Sequence, residues 1–387
     1  MIFKKKKDAK ETEKASEEVK TPKTQKFNLV FIIIYGILAL SAVIYLVAVI
    51  SPSFADFFNR YVSSGVRAFL GLITSVIPFS IAEMLLILLI PAIIFAMVIA
   101  FKYYCDTWKN VFIFSAKLLS AAALIMSLFV FTLGTGYHGS TLDKKLGLNR
   151  KEVSKDELRY TAEILTQHVN ELSSEVDFES KSFSVMPYST KEMNDKLLLA
   201  YEKASAQYDF IPKMYSRVKP VMMSKLMSYT HITGVYSFFT GEANINVDFP
   251  DYTIPFTAAH ELAHQRGIAR EDEANFVAFI VCSMSDDTYI RYSGYLNMLE
   301  YVSNAYYSAD TSKDHADYIE LRELLDLNVR YEQRAYSKFF DKYRDSVASD
   351  VSGAVNNAYL QSQGVKEGSK SYGMVVDLAV AYYKPEK

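Results

Sequence analysis

The chain has 387 residues, of which 50% are hydrophobic and 14% aromatic, with a formal net charge of −2. That balance argues against a basic nucleic-acid-binding surface. The two cysteines, Cys105 and Cys282, stand far apart and argue against a disulfide framework, and Cys282 reads as a small buried apolar residue.

In chain order, residues 1–26 are polar and lysine-rich without apolar periodicity, which predicts a disordered cytoplasmic tail. Lys4 to Lys7 read as a topology signal rather than a lipid-binding patch. Phe27 to Ile50 is an uncharged apolar run, long enough to span a bilayer and too long for a signal-peptide core. Residues 53–80 carry Arg60 and Arg67 among aromatic and aliphatic residues, so an interfacial or re-entrant segment is expected. Ile81 to Phe101 is a second span despite Glu83 and Pro91, with Glu83 expected to reach the interface. Ser115 to Gly136 is a third, with Lys117 able to snorkel. The membrane domain is thus 27–136, with spans at about 27–50, 81–101 and 115–136. Lysines crowd the tail, and Lys102 and Lys109 lie in the second loop, so both are expected on the cytoplasmic side. Residues 137–387 then form an extracytoplasmic domain of a multi-pass plasma-membrane protein.

That domain reads as mostly helical. Ser154 with Glu157 is a capping box for a helix to about Leu172. Ser189 with Glu192 opens another, and Pro220 leads into a short one ending near Tyr229. Val235 to Phe249 is the β candidate: Ala243, Ile245, Val247 and Phe249 alternate with Asn244, Asn246 and Asp248. An edge strand there could pair with an extended peptide, with Asn244 and Asn246 as substrate contacts. Asp286 to Tyr383 reads as long tyrosine-rich helices, interrupted by a polar loop at 364–373.

The chemistry concentrates between Thr253 and Met284. His260 and His264 are spaced i and i+4, which puts two imidazoles on one helix face within reach of one metal. Glu261 beside the first can take a proton from a water without ligating the metal. Thr253 is expected to cap this helix, Pro255 to sit in its first turn and Gly267 to stop it. Arg270 to Met284 then reads as a returning helix that brings back a carboxylate. Helix spacing favours Glu271, which shares a face with Asn275, a residue able to hydrogen-bond a ligand from behind. Glu273 is the competitor. His231, Tyr236 and Tyr229 are candidate donors to a developing oxyanion. His138 is expected at the membrane interface, and His168 and His315 on the surface.

H-E-x-x-H followed by E-x-x-A-N resembles the gluzincin-type zinc metallopeptidases. The longer string HELAHQRGIAREDEANF is similar to a bacterial family of membrane-anchored proteins of uncharacterised function with a zinc-peptidase-like domain. The similarity extends through FFTGEANINVDFPDYTIPF and YLQSQGVKEGSKSYGMVVDLAVAYY, most of residues 137–387. The resemblance implies a mainly α membrane protein: three transmembrane helices, then a mostly helical (α+β) zincin-like domain with a small β element before the H-E-x-x-H helix. It implies one Zn²⁺ per chain on His260, His264 and Glu271, Glu261 as catalytic base, and a protein or peptide substrate. The chain departs from the gluzincins in the short gap between His264 and Glu271. It departs from the metzincins in carrying Arg270 where their third histidine stands. The expected function is hydrolysis of peptide bonds by a membrane-anchored zinc metallopeptidase. The rivals are an inactive metal-stabilised envelope scaffold and a membrane sensor or assembly factor. The sequence carries no signal of oligomeric state.

Overall fold

The computed structural model describes residues 29–103 and 107–384. The expected tail with Lys4 to Lys7, and Cys105, lie outside the described residues. The described residues divide into two compact units, 29–39 with 87–103 and 107–125, and 40–86 with 126–384.

Among the described residues, three helices are long and apolar enough to cross a membrane: α1 (Leu29–Ile50), with α2 (Pro52–Phe57) and α3 (Ser64–Ser75) following it, then α4 (Ile81–Tyr103) and α5 (Trp108–Thr132). The third candidate span begins at Trp108 rather than Ser115, and a 3-10 turn over Gly134–His138 ends it early. Within the first unit, the Tyr35 hydroxyl donates to the Ala116 carbonyl at 2.7 Å, and the Lys117 ammonium stands over the Phe31 ring.

The second unit is mostly helical. It continues through α6 (Leu142–Leu146), α7 (Lys155–Ser173), α8 (Thr190–Gln207), β1 (Lys219–Pro220), α9 (Ser224–Ser228), β2 (Gly234–Ser237) and β3 (Glu242–Ile245). Then come α10 (Thr253–Gln265), α11 (Glu271–Ser283), α12 (Thr288–Ala309), α13 (Ala316–Glu323), α14 (Leu327–Asp341), α15 (Val347–Ser362) and α16 (Val375–Tyr383). The local start signals hold. Ser154 and Glu157 form the full capping box of α7, and the Ser189 side chain accepts from the Glu192 N–H at the start of α8. One apolar core joins α7, α8, α10, α11, α12 and α16, through residues such as Leu165, Leu197, Leu262, Phe276, Leu299 and Leu378.

The sheet differs from the expected single strand. It is three-stranded in the order β1-β3-β2, with β1 parallel and β2 antiparallel to β3. The stretch Val235–Phe249 is a hairpin that reverses at Gly241, whose φ of +72° suits glycine. β3 is the central strand and all four of its residues are buried, so the strand available at the edge near the site is β2. Beyond Ile245 one further backbone bond, from the Asn246 N–H to the Thr233 carbonyl at 2.8 Å, closes the ladder. The Asn246 Oδ1 accepts from the Asp248 N–H and turns the chain, leaving Val247 exposed.

The segment 53–80 is built into the second unit more deeply than an amphipathic surface segment would be. Arg67 is 1% exposed. Its guanidinium donates to the Asn59 side chain at 2.7 Å and the Arg266 carbonyl at 3.3 Å, and also to the Thr132 carbonyl. Asp56 accepts from the Ser140 N–H and pairs with Lys145 at 3.1 Å. Glu83, expected at the interface, is buried instead, and its carboxylate accepts from the Met222 and Met223 N–H groups at 2.9 and 2.8 Å. These partners lie far away in sequence, so hydropathy alone could not reveal them.

Candidate metal centre

Every residue of α10 is buried. Ala258, Ala259, Leu262 and Ala263 favour the helix and pack it into the core. Thr253 does not cap it. Thr253 is the first helical residue, and its hydroxyl donates to the Pro250 carbonyl at 2.8 Å. The C-terminus ends as the sequence implies. Gly267 adopts φ +94°, its N–H donates to the His264 carbonyl at 2.9 Å, and the Ile268 N–H donates to the Ala263 carbonyl at 3.1 Å. This is a Schellman turn. It reverses the chain within a few residues and puts Glu271, the first residue of α11, back over the two histidines.

His260 Nε2, His264 Nε2 and Glu271 Oε2 form a nearly equilateral triangle. The two imidazole nitrogens are 3.0 Å apart, and each lies 3.2 Å from the carboxylate oxygen. Ligands bound to one ion at about 2.0–2.1 Å sit at such separations, slightly over 3 Å. The ring planes are nearly perpendicular, at 87°. The His264 Nδ1 lies 2.7 Å from the Ile268 carbonyl, which can only accept, so Nδ1 carries a proton and Nε2 is the nitrogen that a metal would take once it is deprotonated. Three electron-rich atoms converging in a buried site call for a cation, and the residues present fit a metal ion.

The charges agree with that arrangement. Burial alone would lower the His264 pKa, but the Glu271 carboxylate overrides it and raises it to about 9. Burial works to raise the Glu271 pKa, yet His264 and His260 hold it well below the usual carboxylate range. Glu261 is driven up to about 7, chiefly by burial, with the two histidines pulling the other way. The Tyr236 backbone N–H donates to the Glu261 carboxylate, whose Oε2 is buried without a partner among the described residues. Gly234 lies against the same side chain: a Cβ there would stand 2.5 Å from Glu261 Oε1. The edge strand β2 thus touches the candidate base.

A family model described as "Protein of unknown function (DUF3810)" matches residues 58–380. The chain belongs to that family. No curated protein and no solved structure gives a match. The matched DUF3810 region begins in the segment that carries Arg67 and runs through His260, His264 and Glu271 into α16.

The remaining sequence candidates are placed as follows. Glu273 turns away from the triangle: its Oε1 accepts from the Leu142 N–H at 2.9 Å and from Arg270 at 3.0 Å. Asn275 is buried and hydrogen-bonds Tyr301, a tyrosine whose pKa is raised by burial and then by the Glu271 charge. Asn246 is spent on the fold, bonding Ser228, the Ile232 carbonyl and the Asp248 N–H. Asn244 donates to the Val235 and Glu242 carbonyls, and its buried Oδ1 has no partner among the described residues. His231 adopts φ +60° and donates through Nε2 to the Tyr343 carbonyl at 2.7 Å. The Tyr236 hydroxyl is buried without a partner among the described residues, whereas its backbone serves Glu261. Tyr229 packs edge-on against Tyr343. Of the other histidines, His138 stands edge-on to Tyr45, His168 lies against Tyr295 and His315 stacks on Tyr307. Cys282 is buried, as read.

Sequence reasoning missed Gly234, the Tyr236 N–H and Tyr359. Tyr359 bonds Tyr137 at 3.2 Å, and the Glu271 charge adds to the effect of burial in raising its pKa. Only the glycine left a signal, a residue without a side chain at the start of a strand. A separate cavity of about 440 Å³, lined by Glu175, Lys196 and Asp287 among others, contains no residue of the triad.

Proposed function

We propose that this chain is a membrane-anchored zinc metallopeptidase of gluzincin-like type. The observation that carries the reading is the convergence of His260 Nε2, His264 Nε2 and Glu271 Oε2, with the Glu261 carboxylate alongside. Two imidazoles and one carboxylate are a donor set that suits zinc and leaves a position open. Zinc bound there supplies a Lewis acid that polarises a peptide carbonyl and acidifies a water.

The chain's own residues do the rest. Glu261, with a pKa near 7, is matched to accept a proton from the attacking water and return it to the leaving amine. The Tyr236 N–H favours the ionised form of that carboxylate. The Ile268 carbonyl fixes the His264 tautomer, and the Glu271 charge favours a ligand set that stays assembled. An extended substrate would lie along β2, the strand that borders Glu261. The lysine distribution supports a cytoplasmic N-terminus and an extracytoplasmic site in the plasma membrane. A reporter enzyme fused after residue 384 and assayed on either side of the membrane tests that orientation.

The deciding variant is Glu261→Gln. It should retain zinc and lose hydrolysis by about three orders of magnitude or more, since a positioned base contributes up to roughly 10⁴-fold. Metal without turnover in the wild-type protein would favour a metal-stabilised scaffold instead.

A further inference from the structure

Part of the exposed apolar surface of the second unit lies where the chain meets its candidate spans. α3 turns Arg67 and Gly71 inward, with Gly71 lying against Gln265 and the Gly241 carbonyl. Its opposite face carries Phe69, Leu72, Ile73 and Val76, of which Leu72 is 70% and Val76 81% exposed. Arg67 is the helix's one charged residue and it is buried, so nothing on that outer face prefers water.

A second apolar edge lies in the loop after β1 and the start of α9, where Met222 is 68% and Leu226 58% exposed. This loop is fastened to the start of α4. Glu83, in the first turn of α4, accepts from the Met222 and Met223 N–H groups. Lys219 donates to the Thr74 and Phe79 carbonyls at 2.8 and 3.1 Å, and Glu242 accepts from the Ile81 and Ala82 N–H groups. The loop therefore stands at the level where the span begins, and exposed Lys225 within it suits the headgroup layer.

The turn between the two ligand-bearing helices is tied to the same place. Asn59 donates to the Gly267 carbonyl at 2.9 Å and Arg67 to the Arg266 carbonyl. Ala269 packs with Phe129, Val130 and Leu133 at the end of α5. His264 precedes Gly267 by less than one helical turn, about 5 Å along the axis.

We infer that the outer face of α3 and the Met222–Leu226 loop are sunk in the bilayer, that the metal centre therefore works at the lipid surface, and that its substrate is an extended polypeptide segment tethered to the same membrane. The substrate half rests on the peptidase reading; the lipid-embedded face does not. A chain anchored in the same membrane is held near the site at a high effective concentration that a soluble peptide lacks.

The test uses the full chain in lipid vesicles. Nitroxide labels are placed singly through Leu72→Cys, Val76→Cys, Met222→Cys and Leu226→Cys, with Cys105→Ser as background. Leu199→Cys, exposed on α8, is the aqueous control. Labels at the four positions should relax with dissolved oxygen and be shielded from a water-soluble nickel chelate, with Leu199→Cys showing the reverse. Met222→Cys and Leu226→Cys responding like Leu199→Cys would overturn the inference, and this readout needs neither metal nor turnover.

A second arm compares one peptide free in solution with the same peptide on a transmembrane anchor in the same vesicles, its scissile bond about five residues, or roughly 17 Å of extended chain, from the lipid. The anchored form should be cleaved at least about tenfold faster. Equal rates would overturn the tethered substrate. Cleavage of neither form, by zinc-loaded protein whose labels lie in lipid, would count against the peptidase reading and leave the embedded face standing.

Discussion

Gly234→Ala separates the candidate base from the candidate metal. A Cβ at this position would lie 2.5 Å from Glu261 Oε1, 2.7 Å from its Cγ and 2.9 Å from its Cδ, and these are its three nearest atoms. Carbon–carbon contacts settle near 3.5–4.0 Å, so the carboxylate must move by about 1 Å. Misplacing a reacting group by that distance costs on the order of 10²-fold in rate. The added methyl should cost about 1–3 kcal/mol of stability, as overpacking does. His260, His264 and Glu271 are not among the atoms displaced, so zinc content should hold. The assay is kcat on a quenched peptide by the purified full chain, with metal content measured on the same sample and Glu261→Gln as the floor. Turnover within twofold of wild type would refute the placement of Glu261 as base. Loss of zinc would refute the separation of the base from the metal.

Gly267→Ala imposes a side chain at φ +94° and brings its Cβ to 2.4 Å from the Arg67 guanidinium, so melting temperature and zinc affinity should both fall. Arg67→Met leaves the Thr132 and Arg266 carbonyls without their buried donor; a loss of about 3 kcal/mol, read as a fall of roughly 5–10 °C in melting temperature, is expected, and an unchanged melt would contradict it. In metal-free protein the His264 pKa is raised, so its contribution to stability is present below about pH 6.5 and lost as pH rises through about 9. Zinc must displace that proton, so apparent zinc affinity, followed by competition with a chelator, should rise about tenfold per unit from pH 7 to 9 and then level off.

The parts of this site that were legible in the sequence are those built by neighbouring residues. The i, i+4 histidines, the Gly267 turn and the caps at Ser154 and Ser189 depend on contacts within a few positions, and those contacts formed. Helix spacing favoured Glu271 over Glu273 only weakly, because both fall in the first turn of α11. Leu142 and Arg270 decide it by occupying Glu273. Hydropathy alone gave Arg67 and Glu83 the look of interface residues, because their partners, Arg266 and the Met222–Met223 backbone, are more than a hundred positions away. The strand reading failed for a similar reason. Asn244 to Phe249 alternates, but β3 is covered on both faces and ends at Ile245. A smaller influence on Glu261 comes from a backbone N–H at Tyr236, a group that every residue but proline carries. Its side chain drew attention as an oxyanion donor while its main chain donates to the base.

Metal content of the purified full chain, wild type beside His264→Ala, tests the central claim most directly. The full chain is required because Asn59, Arg67 and Glu83 brace the domain from within the first 136 residues. About one zinc per chain, lost in His264→Ala while the fold is retained, is the result the triangle of donor atoms predicts. No bound metal in a folded wild-type protein would mean that the histidine pair and Glu271 are held by hydrogen bonds alone, and the metallopeptidase reading would fall with them.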